Sequence, residues 1–130
     1  MTRQKFIVFV LGLGCSACSR PPRSGDSLLP AVLAGGWQRK SLRDIPPSLP
    51  GARRAFEAVY EGPGKLTAGV YDLKSSANAL DLVQRWKPAA DTVFFSEDNY
   101  FATIKWDRAD RSALTAFVRA LEKSLGTQTR

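Results

Sequence analysis

The stretch Ala55 to Lys74, AFEAVYEGPGKLTAGVYDLK, restricts the fold more than any other part of this chain. Phe56, Ala58 and Tyr60 alternate with Glu57, Val59 and Glu61. Beyond a break, Leu66, Ala68 and Val70 alternate with Thr67, Gly69 and Tyr71. A period of two sends alternate side chains to opposite faces of a sheet. Between the runs, Gly62-Pro63-Gly64 sets one fixed φ between two residues that tolerate positive φ, as a chain reversal requires. A β-hairpin is therefore expected. Gly69, inside its second strand, points to a bulge or to a crowded position that another backbone approaches.

A second unit of the same kind follows. Thr92 to Ser96 and Tyr100 to Trp106 read as a strand pair turning at Glu97-Asp98-Asn99. Each pair leads into a helix. In the first, Ser75 or Ser76 is the N-cap, Ala79, Leu80, Val83 and Trp86 fall at helical spacing, and Pro88 ends the run. In the second, Asp107 or Asp110 is the cap, and Leu114, Phe117, Val118, Leu121 and Leu125 form an apolar stripe that stops at Gly126. A shift of about 34 places sets Val59 on Val93, Tyr60 on Phe94, Ala68 on Ala102, Val70 on Ile104, Leu80 on Leu114 and Val83 on Phe117. The expected fold is α+β: an antiparallel sheet from two strand-strand-helix units, with the helices packed on one face. Leu28, Leu29, Val32, Leu33 and Trp37 are available to cover the other face. Gly36 to Leu42 reads as a first strand, and Arg43 to Pro50, with three prolines, as a loop.

The start of the chain has a different character. Arg3 and Lys5 precede an apolar run from Phe6 to Leu13, broken only by Gly12, and the small residues and cysteines of Gly14 to Cys18 follow. A basic start, a short apolar run and a small-residue zone describe an export signal. The run is far shorter than the roughly 20 residues that span a bilayer. Leu11-Gly12-Leu13-Gly14-Cys15 resembles a bacterial lipobox, which implies lipidation at Cys15. Cys18, preceded by Ser16-Ala17, is the alternative; ordinary cleavage, giving a periplasmic or secreted protein, is a third outcome. A serine directly follows either cysteine, Ser16 or Ser19, which by the same resemblance implies the outer rather than the inner membrane. The expected organisation is a lipoprotein-type signal over 1–18, a flexible tether over 19–34 and one α+β domain over 35–130. The Cys15–Cys18 spacing has no partner ligand pair for a zinc site.

Composition excludes several chemistries. There is no histidine, which removes the usual general base, the Ser-His-Asp and Cys-His arrangements and most zinc and haem sites. Neither a metal nor a cofactor is expected. An enzyme would rely on carboxylates, and Asp72, Asp107 and Asp110 at strand ends are the candidates; capping and strand closure account for them more simply. Glu97-Asp98-Asn99 lacks the spaced acids of a calcium loop. The chain carries 19 basic against 12 acidic residues, and the excess lies early: Arg20, Arg23, Arg39, Lys40, Arg43, Arg53 and Arg54 face only Asp26 and Asp44. Such a patch suits anionic lipid headgroups or an acidic envelope protein. No nucleic-acid motif accompanies it.

Gly36-Trp37, Ile45-Pro46-Pro47, Tyr60-Glu61-Gly62, Val70-Tyr71, the serine-alanine to tryptophan spacing from Ser76 to Trp86, and Tyr100-Phe101 carry a wider resemblance. From Trp37 to Leu125 the chain resembles a family of small exported bacterial proteins described only as a domain of unknown function. That resemblance implies export and an α+β fold and transfers no catalytic residue. The expected function is therefore a lipid-anchored cell-envelope protein whose domain binds without catalysis, through a face including Trp37, Arg39, Lys40, Arg43, Tyr71 and Phe101. A carboxylate-based hydrolase or transferase is the alternative.

Overall fold

A computed structural model describes residues 23–126. The signal expected over 1–18, with Cys15 and Cys18, lies outside the described residues. Six strands form one antiparallel sheet: β1 (Val32–Leu33), β2 (Trp37–Ile45), β3 (Ala52–Glu61), β4 (Lys65–Leu73), β5 (Thr92–Glu97) and β6 (Tyr100–Arg108). Their order is β1-β2-β3-β4-β6-β5. Among the described residues three helices accompany them: the single turn α1 (Gly25–Leu28), α2 (Ser76–Arg85) and α3 (Arg111–Gly126). The α+β class and the antiparallel pairing agree with the sequence.

The hairpin forms as its pattern requires. Glu61 pairs with Lys65 across Gly62-Pro63-Gly64, and a Cβ at Gly64 would run into the Arg108 carbonyl, so this turn packs tightly on the end of β6. Phe56, Ala58, Tyr60, Leu66, Ala68 and Val70 all point into one core. Gly69 carries no bulge. It pairs with Glu57 and Thr103, and a Cβ there would stand 3.2 Å from the Thr103 hydroxyl. The strand β2 runs on through Ile45, past the expected end at Leu42, because Arg43, Asp44 and Ile45 keep their partners on β3.

The repeat holds in β4 and β6 and fails elsewhere. Val70 pairs with Ala102 and Ala68 with Ile104, on either side of the Gly69–Thr103 pair, as two copies shifted by 34 would. The turn after β5 is one residue shorter, with Glu97 opposite Tyr100. Tyr60 therefore faces the core of α3, whereas Phe94 faces that of α2. The helices differ as well: instead of sharing one face, they lie on opposite faces of the sheet. The cause is in β5 and β6. Val93, Phe95, Ala102 and Ile104 point one way, with Phe117, Leu121 and Leu125 of α3. Phe94 and Phe101 point the other way, with Ala79 and Leu82 of α2. A sheet apolar on both faces needs a cover on each. On α2 the buried pair is Ala79 and Leu82, and Leu80 is turned outward.

The sheet curls around α3, which touches both β1 and β5 at its two edges. We call this the inner face. The N-terminal segment completes it: Leu28, Leu29, Leu33 and Trp37 are buried among the inner-face residues, while Val32 points out. Burying each such side chain contributes about 1.5–3 kcal/mol, so together they rival the roughly 5–15 kcal/mol that stabilises a domain. Residues 23–34 of the expected tether are thus part of the folded body. Polar contacts fasten them. Tyr60 Oη donates to the Pro30 carbonyl at 2.6 Å, Arg39 Nη1 to the Leu29 carbonyl at 2.6 Å, and Trp37 Nε1 to the Ala113 carbonyl at 2.9 Å. At the start of the segment, Arg23 donates to the carbonyls of Leu125 and Ser124 at 3.0 and 3.1 Å. A guanidinium there satisfies orphan carbonyls and complements the negative end of the helix dipole.

Candidate binding face

The carboxylates come first, because they decide between catalysis and binding. Asp72 is buried and accepts from Arg53 Nη2 at 3.0 Å, from Arg54 Nε and Nη2 at 3.0 and 2.7 Å, and from Asn99 Nδ2 at 2.7 Å. These four bonds occupy both oxygens and join β3, β4 and the β5–β6 turn. Asp110 is the N-cap of α3: its Oδ2 accepts from Ala113 N at 3.2 Å and from the Ser112 hydroxyl at 2.7 Å, and those bonds hold its carboxyl below the usual range. Asp107 is exposed. Asp72 pairs with Tyr100 at one end of the β4–β6 ladder, and Asp107 follows Trp106 at the other end. At about 3.4 Å per residue the separation is on the order of 20 Å, far beyond the roughly 5–10 Å of a carboxylate pair working on one bond. The strand-end acids do not assemble into a catalytic pair. Among the described residues no group of acids could hold a metal ion, and the Asn99 amide of the turn is spent on Asp72.

The residues expected to form one binding face are divided between the two faces. Trp37 is fully buried on the inner face, edge-on to Phe117 at 5.8 Å. Arg39 is held there by Asp26 at 2.7 Å and the Leu29 carbonyl. Phe101 is fully buried on the outer face, with the Trp86 ring 4.8 Å away and Tyr71 at 6.3 Å. Only Lys40, Arg43 and Tyr71 reach the surface: Lys40 at the irregularity between Arg39 and Ser41, the other two on the outer face. The early basic patch is also largely spent internally. Arg23 binds α3, Arg39 binds Asp26, Arg43 Nε donates to Glu57 at 3.0 Å, and Arg53 and Arg54 bind Asp72. Of its described members, Lys40 alone forms no ion pair or hydrogen bond.

What remains open is the part of the outer face that α2 leaves uncovered. Arg43, Glu57 and Tyr71 lie across β2, β3 and β4 there. Partial burial raises the Tyr71 phenol, and the Glu57 carboxylate raises it further. The face continues through Thr67, Thr103 and Lys105 to a shallow groove of about 500 Å³ at the far end of β4 and β6. Lys65, Thr67, Asp91, Lys105 and Asp107 surround it, and the four charges form no ion pair with one another. The volume is within the range of small-ligand sites, but a groove this open holds a ligand only from one side. None of these residues stands out by spacing. The one signal is polar side chains at alternate positions, Lys65 with Thr67 and Lys105 with Asp107, where a strand leaves one face wet.

Comparison with protein-family models, characterised proteins and solved structures finds no match. The family resemblance therefore remains an expectation of the sequence and gives no residue a role.

Proposed function

We propose that this chain is a lipid-anchored cell-envelope protein whose folded body is a non-catalytic binding domain. The observation that carries the binding half is the carboxylate geometry. The one buried acid is saturated by Arg53, Arg54 and Asn99, and the other two strand-end candidates, Asp107 and Asp110, stand at the opposite end of the sheet. With no histidine in the chain, the strand-end acids Asp72, Asp107 and Asp110 leave no general acid–base pair among themselves. The anchoring half rests on the opening apolar run and Cys15, with Cys18 as the alternative. Two acyl chains on that cysteine would hold it stably, at about 0.8 kcal/mol per buried methylene.

The entry point of the tether supports the reading. Arg23 is fixed to the carbonyl end of α3 and its own carbonyl accepts from Arg54 at 2.6 Å. Its guanidinium lies over the Tyr100 ring at 5.8 Å, at the Asp72 end of the ladder. An anchor pulling on Arg23 would hold the body by that end, leaving the Lys65–Lys105 groove at the end facing away. Because the described arginines of the early patch have internal partners, a protein partner fits better than lipid headgroups.

Mass spectrometry of the mature N-terminus tests the anchor. A lipid mass is expected in the wild type and in Cys18→Ser, and its loss in Cys15→Ser. An unmodified wild-type chain would refute the anchoring half.

A further inference from the structure

We propose that the free edge of β5 takes up an extended segment of a partner protein, one that carries basic side chains at both ends of the paired stretch. The sheet has two edges, and they differ. β1 is two residues long and leaves β2 open from Ser41 to Ile45, but that stretch is blunted by the register shift at Lys40, the charges of Arg43 and Asp44 and the prolines that follow. β5 is six residues, Thr-Val-Phe-Phe-Ser-Glu, and contains no proline, no basic residue and no register shift. Proteins usually blunt an edge of that length by one of those devices, since its unpaired backbone groups invite another strand.

Which groups are unpaired follows from the ladder. The Trp106 N–H donates to the Asp91 carbonyl at 3.0 Å, and the β5–β6 register continues from that pair. Alternate residues of an antiparallel pair exchange both bonds and the ones between turn theirs away. Val93, Phe95 and Glu97 therefore bond to β6, and Thr92, Phe94 and Ser96 direct their N–H and C=O groups outward. Among the described residues no other segment bonds to them. The helices pack on the two faces of β5, α3 over Val93 and Phe95 and α2 over Phe94.

Charge selects the occupant. Asp91 stands at one end of the edge, Glu97 and Asp98 at the other, and none of them has a cation within ion-pair distance among the described residues. Glu122 of α3 adds to the crowding of negative charge: burial first, then Asp98 and Glu122, push the Glu97 carboxyl up. A second copy of this chain fits poorly. Antiparallel pairing of two β5 edges about Phe94 sets Thr92 against Ser96 and Asp91 against Glu97, like against like. A strand with Lys or Arg flanking an uncharged middle meets both acidic ends and the three outward pairs of backbone groups, the mode known as strand addition.

This inference rests on reading the body as a binding module and is independent of the anchor. The test uses the full chain in detergent to select from a random peptide library. Selected peptides are expected to carry Lys or Arg at both ends of an uncharged stretch. They should slow hydrogen exchange at the amides of Thr92, Phe94 and Ser96. Ser96→Pro removes an outward N–H without touching the β5–β6 ladder and should weaken binding about tenfold. Should that variant fold poorly, Glu97→Gln with Asp98→Asn should weaken binding by a similar factor at unchanged stability. Recovery of no basic peptide, selected peptides that leave the three amides exchanging as in the free chain, or dimerisation through β5 would each overturn the proposal. None of those results would bear on the lipid mass at Cys15.

Discussion

The inner and outer faces of this sheet are built from the same strands and finished in opposite ways. The inner face is closed along its length by α3 and by a segment that composition alone assigns to a tether. Tyr60, Trp37 and Arg39 on it each bind a backbone carbonyl of the cover. The outer face is covered only where Phe94 and Phe101 need α2, and elsewhere it exposes threonines, an Arg43–Glu57 pair and unpaired charges. The lesson is that apolar alternation decides where a cover is required, and backbone carbonyls decide what the cover is fastened with. The face without such fastening is the one left for a partner.

Substitutions ranked by expected effect sharpen that contrast. Phe117→Ala removes a ring in edge contact with both Trp37 and Tyr60 and should lower unfolding free energy by about 3–5 kcal/mol, read by urea denaturation. Asp72→Ala leaves Arg53, Arg54 and Asn99 without their shared acceptor. Because both arginines keep some solvent, the expected loss is smaller, about 2–3 kcal/mol.

Next is Tyr60→Phe, which costs one buried hydrogen bond to Pro30, about 1 kcal/mol. It has a pH signature too. Burial is the first cause raising the phenols of Tyr60, Tyr71 and Tyr100 above their ordinary value of 10.0. The unfolded chain therefore loses these protons near pH 10 while the folded chain keeps them. Stability should hold below pH 10 and fall as pH rises beyond it. Tyr60→Phe should make that alkaline decline shallower, as a series of denaturation curves would show. Smallest of all is Arg43→Ala on the open face, where an exposed ion pair is lost and the change should stay within about 0.5 kcal/mol. A large effect there would mean the outer face is less open than described.

Much of this fold was legible. Alternation around Gly62-Pro63-Gly64 located the central hairpin, and the stripe from Leu114 to Leu125 located α3. The capping of α2 by Ser75, whose hydroxyl accepts from Asn78 N at 3.1 Å, was also readable. Helix placement was not, because a one-residue difference between two turns reverses which face a strand residue occupies. Phe94 and Tyr60 match in sequence yet lie on opposite sides. The role of residues 23–34 is hidden for another reason: the i, i+4 spacing of Leu29 and Leu33 is short and broken by Pro30, and the irregular packing the segment adopts leaves no periodic trace. Of the expected binding residues, Trp37 and Phe101 are buried, Trp37 in the covering role the sequence also allows it; aromatic composition does not separate the two roles. The groove residues give no distinguishing sequence signal, because charge at a strand end is ordinary.

Native-state hydrogen exchange at the Arg39 amide tests the central claim most directly, since that N–H donates to the Ala31 carbonyl and reports whether the N-terminal segment stays on the sheet. The account predicts that Arg39 exchanges only with global unfolding, together with the amides of β3 and β4. Exchange of Arg39 as fast as in a free peptide, with β3 and β4 still protected, would contradict it.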